Sequence, residues 1–186
     1  DGGFHLALVK WPMMRDMLTH ATRLVAKNGC KEPKPATPRQ VMKAMRTLYD
    51  NENYGEAAAL ALCWYSAQRP CDALLLMMEG IKATRAGGDN SGSDSKYVMR
   101  FREGKVVGRI ESYHVHMTVP NEYAATVINK WLAKRKRAKE ATLYRFENGY
   151  RRTKFLTTLR VALRSSDNEL ELRSLRRGTL QMYNKA

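Results

Sequence analysis

Apolar residues recur at helical spacing through Met13, Met14, Met17, Leu18, Ala21, Leu24 and Val25. This predicts a helix over 12–27, stopped by Asn28-Gly29. The stretch 30–36, Cys-Lys-Glu-Pro-Lys-Pro-Ala, breaks the pattern. Its prolines disfavour helix, so it reads as an extended linker and a domain boundary. Thr37-Pro38 opens the next helix as N-cap and first-turn proline, and Val41, Met42, Met45 and Leu48 give that helix one apolar face. From 55 to 66 the chain is apolar almost all round, which predicts a central core helix. Pro70 starts another helix with Asp72 in its first turn, and the run Leu74 to Met78 reads as core.

The period then changes. Gly87 to Ser95 is a polar loop. Tyr97–Phe101 and Tyr113–Val119 follow as β-like runs. In the second, Tyr113, Val115, Met117 and Val119 alternate with His114, His116 and Thr118, as a half-buried strand requires. The two runs predict an antiparallel pair, with Lys105 and Arg109 near its turn. Further helices are expected from Pro120-Asn121 to about Lys139, over roughly 152–164, and from about Ser166 to the chain end. The fold class is therefore mainly α with a small antiparallel β element.

Charge changes this picture from a fold to a partner. The 186 residues carry 33 Lys and Arg against 18 Asp and Glu, a net +15. Fifteen of those cations, against five acids, lie between 130 and 177. Clustered positive charge is the footprint of nucleic-acid binding. Lys134, Arg135, Lys136, Arg137, Lys139, Arg151, Arg152, Lys154 and Arg177 are the candidate DNA-binding residues, with duplex DNA as the expected partner. The other readings of this charge are a solvated basic surface and a patch for an anionic membrane. No stretch approaches the roughly 18 apolar residues of a membrane span. Cys30, Cys63 and Cys71 are odd in number with no CxxC, which reads as a reduced, intracellular setting. His114 and His116 share a strand face but lack a third ligand at a suitable spacing, so they read as a polar face and no metal site is expected. No phosphate-cradling GxxxxGK[ST] loop is present, and no cofactor is expected. The chain begins Asp-Gly-Gly rather than with Met, as a piece of a longer protein would.

The candidate chemistry lies in two arginine motifs. Arg69 ends the apolar helix and is followed three residues on by Asp72. About a hundred residues later comes Leu172-Arg173-Ser174-Leu175-Arg176-Arg177-Gly178. A guanidinium grips a phosphate through a fork of N–H donors. On a helix, Arg173, Arg176 and Arg177 share a face, while Leu172, Leu175 and Met182 form the adjacent apolar stripe.

The order of these parts over 37–186 resembles the catalytic domain of the tyrosine recombinases, the phage-integrase-like DNA breaking–rejoining enzymes. The resemblance rests on Arg69 with Asp72 and Leu76, and on Arg173-Ser174-Leu175-Arg176, which is similar to the family's His-x-Leu-Arg box. It implies that residues 1–36 are the tail of a helical DNA-binding domain with its linker. Arg69 and Arg176 would clamp the scissile phosphate, with Asp72 orienting Arg69. Arg173 would stand in the place of the family's histidine, and Lys105 would be the general acid. The implied activity is site-specific recombination or integration through a 3′-phosphotyrosyl intermediate, which conserves the phosphodiester energy without ATP or metal. The implied assembly is a homotetramer on DNA. The implied location is intracellular and DNA-associated, in the nucleus of a eukaryote or the cytoplasm and nucleoid of a bacterium.

Two departures from the family pattern stand out. Arg173 replaces a titratable histidine. The expected tyrosine nucleophile lies beyond Ala186, since Tyr183 is only seven residues past Arg176 on the same expected helix. The other reading is a non-catalytic DNA-binding protein, either a decayed recombinase or an unrelated basic helical module.

Overall fold

In the computed structural model, residues 33–84, 95–101, 112–146 and 148–184 are described. They belong to one compact unit, Pro33–Ala186. The helix expected over 12–27, most of the loop from Gly87, and the turn residues Lys105 and Arg109 lie outside the described residues.

Helix α1, Pro38–Asp50, starts where its sequence signals say. The Thr37 side chain accepts from the Gln40 backbone N–H at 3.3 Å, and the Gln40 side chain accepts from the Thr37 N–H at 2.8 Å. This reciprocal box satisfies two N–H groups that would otherwise lack partners. Helix α2, Tyr54–Ser66, is buried on every side from Ala57 to Ser66. It packs against α1, the sheet and four later helices, so it is the axis of the unit. Side chains such as Leu60 and Leu62 each stabilise the fold by about 1.5–3 kcal/mol through burial.

The chain leaves α2 through Ala67, which has a left-handed backbone (φ 55°) and turns it into the single-turn helix α3, Pro70–Ala73. The helix expected from Pro70 thus ends within one turn. Leu74 and Leu76 are nonetheless buried, as core residues should be. A 3-10 turn, Met78–Gly80, leads into strand β1, Ile81–Thr84, which the hydropathy pattern did not predict.

Strands β2, Ser95–Phe101, and β3, Tyr113–Val119, pair antiparallel, and β1 adds to the free side of β2. Tyr97, Met99, Phe101, Met117 and Val119 face the core, while His114, His116 and Thr118 face out. Helix α4, Glu122–Arg137, is capped by Asn121, whose side chain accepts from the Ala124 N–H at 3.0 Å. Helix α5, Gly149–Arg164, is capped by Asn148 through the Arg151 N–H.

The last helix, α6, spans Leu172–Tyr183 and does not begin near Ser166 as expected. Asp167 instead organises a turn. Its carboxylate accepts from Lys34 at 2.7 Å, from Gln40 at 3.1 Å and from the Glu169 N–H at 3.0 Å. These bonds hold the backbone out of a helix until Ser174 accepts from the Glu171 N–H at 2.9 Å. Among the described residues, no helix is long and apolar enough to cross a membrane.

Candidate functional site

The start of α3, Arg160 of α5 and the exposed side of α6 face one cleft of about 980 Å³. Arg69, Arg160, Arg173, Arg176 and Arg177 line it together with Cys71 and Glu171. The two arginine motifs, a hundred residues apart in the chain, therefore meet on the same cavity.

Local chemistry explains each placement. Arg69 is the residue before Pro70 and is held extended (φ −71°, ψ 142°), as a residue preceding proline tends to be. Its carbonyl accepts from the Asp72 and Ala73 N–H groups, which anchors its backbone at the head of α3. Asp72 is buried, and its carboxylate lies 3.9 Å from the Arg69 guanidinium. The Arg69 side chain remains about half exposed, so a ligand can reach it.

The placement of α6 rests on small residues at its back. A Cβ on Gly178 would sit 2.0 Å from the Ala36 carbonyl oxygen and 2.9 Å from the Trp64 ring. Only glycine permits this approach of helix to backbone. The Thr179 hydroxyl donates to the Trp64 carbonyl, Ser174 accepts through its carbonyl from the Ala36 N–H at 3.0 Å, and Leu175 is fully buried. The same docking turns Arg173 and Arg176 outward. Tyr183 donates to the Tyr65 carbonyl at 3.2 Å, so its hydroxyl serves the docking of α6.

The electrostatics of the cleft are uneven. Glu171 lies 3.2 Å from Arg160 and also pairs with Arg164, so it neutralises the α5 side. Arg173 and Arg176 join none of the ion pairs among the described residues. They are exposed cations held by a rigid helix, which is what an incoming phosphate needs.

Two residues that the arginine motifs do not include lie beside the cluster. Gln68 donates from its backbone to Ser66 and accepts from the Tyr113 hydroxyl at 3.1 Å. Tyr113 stacks on Phe101 with centroids 5.0 Å apart. Burial, with Asp72 adding to it, raises the Tyr113 phenol above its ordinary pKa, while Arg69 and Arg176 pull it back. The phenol is therefore a neutral donor at the edge of the arginine cluster.

No family model, curated protein or solved structure matches this chain.

The remaining predicted site residues lie elsewhere. Lys105 is outside the described residues. Lys134, Arg135, Lys136 and Arg137 form the last turn of α4, with Lys139 just beyond it. Arg151, Arg152 and Lys154 sit in the first turns of α5. None of these lines the arginine cleft. Arg135 differs from its neighbours because it is mostly buried. Its guanidinium donates to the Thr142 carbonyl at 3.0 and 3.3 Å and lies 3.6 Å from Glu140. It ties down the segment after α4, and its charge is paired with Glu140. Among the described residues, no group of three His, Cys, Asp or Glu could hold a metal ion. Cys63 is buried, which pushes its thiol pKa well up, whereas Cys71 is exposed at the cleft.

Proposed function

We propose that this chain binds duplex DNA and holds a backbone phosphate in the arginine cleft, as the phosphate-gripping part of a tyrosine-recombinase-like strand-exchange site. One observation carries this reading. Arg69, Arg173 and Arg176 come from two distant motifs and line one cleft, and Arg173 and Arg176 are without carboxylate partners among the described residues.

In the proposed chemistry a tyrosine from a segment outside residues 1–186 attacks the phosphorus in line. The P–O5′ bond breaks, the departing oxygen takes a proton, and a 3′-phosphotyrosyl bond forms. Arg69 and Arg176 neutralise the charge that builds on the non-bridging oxygens, and Arg173 adds to the clamp. Lys105 is the proposed acid, and Asp72 positions Arg69.

Arg173 favours a second reading, that of a DNA-binding protein without strand cleavage. The family has a histidine at this point, and an arginine does not release a proton near neutrality.

Two measurements test these readings in turn. Duplex affinity is titrated against salt. Six phosphate contacts give a slope of log K against log salt of about −5, and a flat response overturns DNA binding altogether. A suicide DNA substrate, resolved on a denaturing gel, then tests for a covalent adduct. None is expected from residues 1–186, and one is expected from the chain extended beyond Ala186. An adduct from residues 1–186 that disappears on Tyr113→Phe or Tyr183→Phe relocates the nucleophile. DNA binding without any adduct from the extended chain selects the second reading.

A further inference from the structure

The start of α2 carries a surface of another kind. Tyr54 meets Tyr49 edge to face with ring centroids 4.9 Å apart, and Tyr49 meets Tyr123 in the same way at 6.0 Å. Trp131 of α4 lies over Gly55, where a Cβ would come within 3.0 Å of the indole. Between these rings is a pocket of about 200 Å³, lined by Tyr49, Tyr54, Val127, Lys130, Trp131 and Lys134. Pockets for drug-sized ligands run to roughly 300–1,000 Å³. This one admits a single ring system whose remainder stays outside.

Cations crowd the pocket. Lys134 Nζ lies 6.0 Å from the Tyr54 centroid and 5.7 Å from that of Trp131. Lys130 Nζ lies 5.4 Å from the Tyr49 centroid and donates to its hydroxyl at 2.8 Å. Arg46 lies over Tyr123 at 5.6 Å. Neither lysine joins any ion pair among the described residues. Every cation–π pair of the described residues falls within this cluster.

Aromatic faces next to unpaired ammonium groups suit a ligand with a flat face and a negative charge. A nucleotide unit has both. In a duplex the faces of the bases are covered by their neighbours, so only an unpaired base can enter. An acidic peptide satisfies the lysines and leaves the rings unused. The charge also continues past the pocket, because Lys136, Arg137 and Lys139 are exposed beyond Lys134. That favours a polymer over a free nucleotide.

We propose that this pocket binds single-stranded nucleic acid, with an unpaired base stacked on Tyr54 and the neighbouring phosphates on Lys130 and Lys134. The flexible lysine stems let the ammonium groups move from the rings to the phosphates. The site stands at the opposite end of α2 from the arginine cleft, a helix length of roughly 18 Å. It does not depend on the reading of that cleft.

The test uses the 186-residue chain and fluorescence anisotropy with three labelled probes at one salt concentration. These are a ten-nucleotide oligothymidylate, an abasic strand of the same length, and a duplex. The oligothymidylate is expected to bind more tightly than the abasic strand. Tyr54→Ala weakens oligothymidylate binding roughly 5- to 150-fold, the range for one lost stacking contact, and leaves the abasic strand and the duplex within about twofold. Lys134→Gln weakens both single strands. Tyr54 is 37% exposed. Should Tyr54→Ala fail to fold, Tyr54→Leu keeps the apolar bulk without the aromatic face, and the same loss is expected. Equal binding of abasic and normal strands, or unchanged oligothymidylate binding by a folded Tyr54 variant, overturns the proposal. Displacement of the oligothymidylate by polyglutamate of equal length and at equal concentration reassigns the pocket to acidic proteins.

Discussion

The two ends of α2 present cations in opposite ways. At its C-terminal end the supporting groups are fixed. Gln68 is tied to Ser66 and Tyr113, Asp72 lies under Arg69, and Gly178 and Thr179 clamp α6 to the Trp64 region. Arg173 and Arg176 there project from a frame that they do not build. At the N-terminal end the cations are themselves part of the packing, lying on Tyr49, Tyr54 and Trp131. Polar groups there are also left over. The Trp131 indole N–H and the Tyr144 hydroxyl are buried without partners among the described residues, and burial raises the pKa of Glu56. A rigid frame suits a ligand of fixed shape such as a phosphate on a duplex. An unsatisfied, adaptable surface suits a flexible strand.

The frame should fail when its closest contact is filled. Gly178→Ala places a Cβ against the Ala36 carbonyl, and backbone yields less readily than a side chain. The expected loss is about 3 kcal/mol, the upper end for overpacking, read as a fall in urea midpoint. Duplex binding should fall with it by more than oligothymidylate binding does. Equal loss at both ends shows that α6 is not an independent support of the cleft.

Arg176→Ala tests the cleft without touching its frame. Hydrogen bonds to charged groups contribute about 1.5–3 kcal/mol, so duplex affinity should drop roughly tenfold to a hundredfold. The salt slope should become shallower by about one. Oligothymidylate binding at the other end should be unchanged.

The unsatisfied end should respond with the opposite sign. Tyr144 is 5% exposed, and its hydroxyl lacks a hydrogen-bond partner among the described residues. Tyr144→Phe should raise stability by about 1 kcal/mol, because it removes a buried polar group that folding must desolvate. A loss of stability reveals a partner for that hydroxyl.

Glu56 gives the smallest effect and a pH signature. Burial raises its folded pKa above the ordinary glutamate value, so the folded state holds the proton more tightly than the unfolded one. Its effect on stability is therefore most favourable at low pH. It declines as pH rises from the ordinary value through the raised one. Glu56→Gln should remove this decline and leave the protein slightly more stable near neutrality. Parallel stability–pH curves for the two proteins dismiss the effect.

Much of the frame was legible in the sequence because its signals are local. Thr37-Pro38 marks a helix start within four residues, the all-apolar run marks the core helix, and the alternation from Tyr113 marks a half-buried strand. Strand β1 was not legible. Ile81–Thr84 is four residues long, and its pairing with β2 defines it more than any pattern of its own. The start of α6 falls after the expected Ser166 because Asp167 bonds to Lys34 and Gln40, more than a hundred residues away, which no local pattern shows. The arginine motifs stood out by residue type. Gln68 and Tyr113 did not, since their place in the site depends on a hydrogen bond between residues 45 apart.

The contact between Ala36 and Gly178 also has a mechanical side. Ala36 donates to the Ser174 carbonyl, its own carbonyl rests against Gly178, and Lys34 grips Asp167 just ahead of α6. The strand of chain entering at Pro33 is thus laced to the helix bearing Arg173 and Arg176 before it reaches α1. A pull on the polypeptide ahead of Pro33 loads that helix together with the edge of the core, because Ala36 is buried in both contacts.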